Sequence, residues 1–264
     1  MLFLTIIFGR DVNGKPYLSI GAISFYIVEI SPLLFCLALA GILNKWDWNK
    51  PKKLFMGLLL CALPLVLIFA CPSFSAGVIY STTCITLMVV SGAGRRNSIL
   101  LAGLMSGIIM LPFINAPQKL KGSLAFINPV IGSSGLFGKG LSLKPQFMPG
   151  LHTDFIFSYI TFTFGWIAGG VLAALVVMFI IRMTRIAAVA KNNYAKLLTS
   201  GFVAIFAVQF LWNILMNLGF APISGVGLPF ISYGGSQLIF NAAALGVILS
   251  IYRRRNISKI LINI

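Results

Sequence analysis

Asp154 is the residue at which chemistry is first legible. It stands in HTDFIF (His152 to Phe157) and is the only acidic side chain from Trp48 to the C-terminus. A carboxylate can take a proton from a hydroxyl or ligate a hard cation. At the edge of an apolar segment it is costly unless it has a task. The competing reading is structural: Asp154, like Thr153, is a good N-cap for the helix that follows. His152 reads as an interfacial, hydrogen-bonded histidine.

Two further stretches carry chemistry by type and spacing. Lys119, Lys121, Lys139 and Lys144 surround the glycine-rich GSSGLFGKG (Gly132 to Gly140). Glycine lets backbone N–H groups approach an anion, and lysine adds charge. Beside one carboxylate, such a loop suits a lipid-linked phosphate with a divalent cation; the alternative is a solvated loop. The other stretch is GVGLPFISYGGSQLIFN (Gly225 to Asn241). Pro229 interrupts an apolar run there, and Ser232, Tyr233, Gly234, Gly235 and Ser236 follow. A polar, glycine-rich break marks backbone that lines a cavity or packs closely; the alternative is a helix start with small-residue packing. Cys36, Cys61, Cys71 and Cys84 lie in or beside apolar runs, with no C-x-x-C and no Cys/His ligand spacing. They read as buried thiols.

The elements that must position these residues follow from composition. The chain has 264 residues, 59% hydrophobic and only 9% charged, with mean hydropathy +0.99. A globular domain is about 25% charged, so a soluble fold is excluded. The expected fold is all-α, a polytopic membrane helix bundle. Spans of about 20 apolar residues are expected at 20–43, 54–71, 74–93, 98–115, 154–181, 198–218 and 232–252. MLFLTIIFGR is too short for a span and lacks a basic n-region, so it is a poor signal peptide. Residues 1–264 read as a single membrane domain, with 116–153 as a long outer loop, structured and partly re-entrant.

The formal charge of +16 needs no nucleic acid. Lys45, Lys50, Lys52, Lys53, Arg95, Arg96, Arg182, Arg185, Lys191, Lys196, Arg253, Arg254, Arg255 and Lys259 fall on one side of the expected spans. Arg10, Lys15, Lys119, Lys121, Lys139 and Lys144 fall on the other. The richer side is cytoplasmic by the positive-inside rule. That places the C-terminus inside and the 116–153 loop outside, with anionic membrane lipid facing the basic loops.

WNILMNLGFAPIS (Trp212 to Ser224) followed by GVGLPFISYGGS resembles the C-terminal signature of the SEDS family, the FtsW/RodA/SpoVE proteins of shape, elongation, division and sporulation. IGSSGLFGKG (Ile131 to Gly140) and HTDFIF continue the match; GRDVNG (Gly9 to Gly14) and IGAISFYIVE (Ile20 to Glu29) resemble it more loosely. The resemblance covers nearly the whole chain and implies a multi-pass protein of the bacterial plasma membrane. Its activity would be peptidoglycan glycosyltransfer, polymerising lipid II, an undecaprenyl pyrophosphate-linked sugar, on the outer face beside a class B penicillin-binding protein. The family's essential aspartate falls at Asp154, as general base on the acceptor hydroxyl or as ligand of a divalent cation, Mg or Mn. Lys139, His152, Thr153, Ser232, Tyr233, Gly234, Gly235 and Glu29 are the implied substrate-binding positions.

The chain also departs from the pattern. The family has about ten spans, and this sequence starts near the end of the third, without the first two to three. The family's Arg-Trp pair is Pro16-Tyr17 here, and its Gln-Pro-Ser-Glu is Tyr26-Ile27-Val28-Glu29. A lysine is replaced by Pro32, and Pro-Asp-Leu-Gly-Thr by Pro72-Ser73-Phe74-Ser75-Ala76. Pro-Glu is Pro149-Gly150, and the following acidic pair is Phe162-Thr163. These losses support a second reading, an inactive member that scaffolds a penicillin-binding protein. A third is a transporter of the lipid-linked precursor, which broken helices beside a cavity would suit.

Overall fold

The computed structural model describes residues 10–12, 15–20, 23–25, 27–48, 51–70, 74–94, 96–100, 102–103, 105–106, 131–141, 150 and 152–260. Cys71, Lys119, Lys121, Lys144, the second half of the fourth expected span and most of the 116–153 loop lie outside them. So does the side chain of Glu29.

The first described elements form a small antiparallel meander: β1 (Arg10–Val12), β2 (Lys15–Ile20) and β3 (Ile23–Phe25), in the order β1-β2-β3. Val12 pairs with Lys15 and Ile20 with Ile23, so two residues separate each pair of strands. Asn13-Gly14 in the first gap is a strong hairpin signal. The expected first span at 20–43 is therefore corrected at its start. Pro16 and Gly21 disfavour a helix there, and strand pairing satisfies the backbone instead.

The bundle that follows is all-α, as expected. Its described helices are α1 (Ile27–Leu43), α2 (Pro51–Ala70), α3 (Phe74–Val90), α4 (Ile156–Ala188), α5 (Asn193–Asn217) and α6 (Gly235–Ile260). Residues 96–100, 102–103 and 105–106 are helical as well, beginning two residues ahead of the fourth expected span. Among the described residues α4, α5 and the Gly235–Arg254 part of α6 are long and apolar enough to cross a membrane. Ile30–Leu43, Phe55–Val66 and Ser75–Val90 are shorter apolar helices.

α5 is the hub. It packs against α1, α3, α4 and α6, and 61% of its most apolar window is buried, against 11% for α4 and 17% for α6. Phe202, Ile205 and Phe206 of α5 meet Leu39, Tyr80, Leu87 and Met88 in the core. A Cβ on Gly201 would strike the Cys36 sulfur, so only a residue without a side chain lets α1 and α5 approach there. Cys36, Cys61 and Cys84 are buried free thiols. The outward faces of α4 and α6 carry Val171, Leu175, Met178 and Ile239 in the open, as helix surfaces against lipid tails do.

Candidate active site

α4 is preceded by a tight turn. The Thr153 and Phe155 N–H groups both donate to the Gly150 carbonyl, at 3.0 and 3.1 Å. Phe155 occupies the N-cap position of α4 and makes no side-chain cap bond. Asp154 thus stands one residue ahead of the cap, half-buried at the head of the helix.

Two buried asparagines one turn apart on α5 hold this turn by its backbone. Asn213 and Asn217 each donate from Nδ2 to the Asp154 carbonyl, at 2.9 and 3.0 Å. The Asn217 carboxamide oxygen accepts the Ser158 N–H at 3.0 Å and its hydroxyl at 2.5 Å. Asn217 Nδ2 also reaches the Asn213 carbonyl and Oδ1, at 2.8 and 3.1 Å. Asn213 Nδ2 ties in the Val226 carbonyl at 2.7 Å. Buried amides are costly unless every group finds a partner, and this pair finds partners on three segments.

The loop before α6 closes the other side. The Ser232 hydroxyl donates to the Thr153 carbonyl at 2.5 Å and accepts the Leu228 N–H at 2.6 Å. The Tyr233 N–H donates to the His152 carbonyl at 2.8 Å. Phe230 makes this geometry with a left-handed backbone, φ 65°, which is uncommon for an aromatic residue and costs about 1–3 kcal/mol. Its ring lies 5.5 Å from Phe206 and 5.8 Å from Phe179, and that packing offsets the strain. Trp212 Nε1 donates to the Ser224 hydroxyl at 2.6 Å and fixes the start of the loop.

The structure thus brings together His152, Thr153, Asp154, Ser232 and Tyr233. Gly234 and Gly235 follow directly at the head of α6, where the Gly234 carbonyl accepts the Leu238 N–H at 2.9 Å. His152 and Tyr233 are exposed, and the His152 ring meets Tyr159 edge-on at 5.7 Å. The half-buried Asp154 therefore sits within an exposed rim formed by His152 and Tyr233.

Lys139 is placed differently. Its N–H donates to the Phe162 carbonyl at 2.9 Å, and the Gly140 N–H to the Thr163 carbonyl at 3.0 Å. The Trp166 and Ile167 N–H groups donate back to the Gly135 and Leu136 carbonyls, at 3.1 and 3.3 Å. α4 breaks here, with Gly165 at φ 84° and ψ 175°. The glycine-rich segment supplies the backbone partners that the broken helix loses. Two of the N–H groups that the sequence offers to an anion are therefore committed to α4. The Lys139 side chain remains exposed, two turns along α4 from Asp154.

Asn213 and Asn217 are the residues that sequence reasoning misses. The signal is present: two carboxamides four residues apart in an apolar span share one helix face and are expensive in a membrane.

The FtsW/RodA/SpoVE cell cycle protein model matches residues 1–257. The chain is 31% identical to the probable peptidoglycan glycosyltransferase FtsW of Coxiella burnetii, over 95% of this chain and 74% of that protein. It is 30% identical to stage V sporulation protein E of Bacillus subtilis, over 96% and 76%. In three dimensions it resembles a chain of a peptidoglycan synthase complex at TM-score 0.78 and 25% identity, covering 96% of this chain and 78% of that one. The rod shape determining protein RodA of Thermus thermophilus gives TM-score 0.73 and 26% identity, over 96% and 74%. By sequence and by fold, this chain belongs to the FtsW/RodA/SpoVE family of integral membrane proteins.

Proposed function

We propose that the chain is a peptidoglycan glycosyltransferase of division, cell shape or sporulation, with Asp154 at its centre. The carrying observation is the seating of residues 152–154 on both sides, by Asn213 and Asn217 of α5 and by Ser232 and Tyr233 before α6. Backbone held this firmly fixes the point from which the Asp154 side chain departs. The substrate is lipid II. The acceptor sugar hydroxyl attacks the anomeric carbon of the donor and loses its proton to Asp154, while the bond from that carbon to the pyrophosphate breaks. Undecaprenyl pyrophosphate leaves. A positioned base contributes typically 10²–10⁴-fold to such a step.

The leaving pyrophosphate needs positive charge beside it. The exposed Lys139 side chain supplies one candidate cation. A divalent ion, Mg or Mn, is another, and such ions are commonly held by one or two carboxylates plus substrate phosphates. Among the described residues no three His, Cys, Asp or Glu side chains gather into a metal cluster. A divalent ion here would be held by Asp154 together with the substrate phosphates and would neutralise the departing phosphate charge. Glu29, His152, Thr153, Gly234 and Gly235 complete the proposed substrate contacts.

A class B penicillin-binding protein is the proposed partner. The resemblance to a chain of a peptidoglycan synthase complex, whose study concerns coordinated polymerisation and crosslinking, supports it. The bacterial plasma membrane is the proposed location, with the C-terminus cytoplasmic. Arg182, Arg185, Lys191, Lys196, Arg253 and Arg254 are all exposed at the ends of α4, α5 and α6, as the positive-inside rule expects.

The test is polymerisation by the purified chain with its penicillin-binding protein, lipid II and a divalent cation. Asp154→Asn is expected to lower glycan synthesis by at least about 100-fold while keeping the asparagine clamp, because both asparagine bonds end on the Asp154 carbonyl. Full activity in that variant would sink the assignment. A wild-type protein that makes no polymer yet binds its partner stably would turn the reading to scaffolding.

A further inference from the structure

A second site is built at the other end of α5, roughly 35 Å from Asn217 at 1.5 Å per residue. A cleft of about 370 Å³ opens between the α4–α5 connection and α6. Its lining includes Lys191, Tyr194 and Leu198 from the connection and α5, and Val247, Ser250 and Arg254 from α6. The order along the two helices is regular. Lys191 and Arg254 form a cationic rim. Tyr194 and Ser250 follow one turn deeper, and Leu198 and Val247 lie one turn deeper again. Among the described residues that line the cleft none is acidic.

We propose that this cleft binds an anionic phospholipid, with its phosphate on Lys191 and Arg254 and the start of an acyl chain against Leu198 and Val247. The grading from charge through hydroxyl to apolar surface matches one class of ligand, an amphiphile with a phosphodiester head. A free phosphate would use the rim and leave the floor empty. A zwitterionic lipid brings its own cation to a rim that already holds two. Basic pockets between membrane helices take anionic headgroups for this reason. The cleft joins the α4–α5 connection to α6, so a bound lipid ties the two segments together at the membrane surface. Nothing in the glycosyltransferase reading requires the site, and it stands if that reading falls.

The experiment is native mass spectrometry of the full chain in detergent, titrated with phosphatidylglycerol, with phosphatidylcholine of the same acyl chains, and with inorganic phosphate. Phosphatidylglycerol is expected to be retained in preference to phosphatidylcholine and to resist a modest excess of inorganic phosphate. Each rim cation is worth about fivefold in affinity, so Lys191→Ala with Arg254→Ala weakens retention on the order of 25-fold. Arg182→Ala with Arg185→Ala, which removes charges outside the cleft, leaves it unchanged. Val247→Trp fills the floor without touching a charge and expels phosphatidylglycerol. Equal retention of the two lipids would overturn the proposal. So would equal loss in the Arg182/Arg185 variant, ready displacement by inorganic phosphate, or full retention in Val247→Trp. Lys191 and Arg254 are exposed, so their variants fold, as unchanged melting will confirm.

Discussion

Residues 152–158 and residues 162–167 are separated by one turn at the head of α4, yet they are held by opposite means. The first stretch is gripped largely by side chains: the carboxamides of Asn213 and Asn217 and the hydroxyl of Ser232 reach its carbonyls. Among the described residues the second is gripped by backbone, through four hydrogen bonds between Gly135–Gly140 and Phe162–Ile167. Side-chain grips can be tuned one residue at a time and leave room around the carboxylate they orient. Backbone grips admit no neighbours, which is why glycine stands on both sides of the second one. A Cβ on Gly165 would meet the Leu136 carbonyl, and one on Gly138 the Thr163 carbonyl. The first arrangement seats the proposed base; the second closes the break in α4 at Gly165.

The largest effect that would test this contrast is at Gly165. Gly165→Val adds a branched side chain at φ 84° against the Leu136 carbonyl and should cost about 4 kcal/mol, from strain and overpacking together. Thermal unfolding of the solubilised protein measures it, and a melting point near that of the wild type would break the backbone half of the comparison. Asn217→Leu should cost about 3 kcal/mol, because it leaves the Asp154 carbonyl short of one donor and the Ser158 N–H short of its acceptor. It should also depress polymerisation beyond that loss of stability, so activity measured well below the melting point separates orientation from folding. An Asn217→Leu protein that is less stable but fully active would show that the clamp is structural only. The smallest effect is expected at Lys139. Its contact to Phe162 uses the N–H, which alanine keeps, so Lys139→Ala should change stability by less than about 0.5 kcal/mol. A large loss of stability there would mean that the side chain, too, holds α4.

The sequence carries the bundle well because membrane spans are written in composition. The apolar runs ending at Leu43, beginning at Phe74 and covering α5 match their helices to within a few residues. Asp154 and the Gly225–Asn241 stretch are each visible as anomalies, one a lone carboxylate, the other a polar break in an apolar run. Their union is not visible. A hydroxyl at Ser232 bonding a carbonyl at Thr153 spans 79 residues of chain, and no local pattern encodes such a contact. Asn213 and Asn217 were legible as buried amides but are easily passed over inside a strongly apolar helix. The glycine-rich stretch shows the limit of composition most clearly. Glycine permits close approach, and residue types alone do not say whether an anion or another backbone will approach. The expected span 154–181 already runs about 40 Å at 1.5 Å per residue, longer than a hydrocarbon core of about 30 Å, but its apolar composition does not mark the break at Gly165. The N-terminal meander was signalled by Asn13-Gly14 and outweighed by the apolar run beside it.

The 79-residue separation also sets a timetable for the protein's synthesis. Chains emerge from the ribosome N-terminus first, so Asp154 is delivered to the membrane before either of its supports. α5 brings Asn217 next, and Ser232 and Tyr233 arrive last, at the head of α6. A nascent chain stopped before Ser232 can hold every earlier helix in the bilayer and still lack half of the seat beneath its carboxylate. The proposed base is therefore fully seated only once α6 is in place, so its activity would be withheld until that helix has been made.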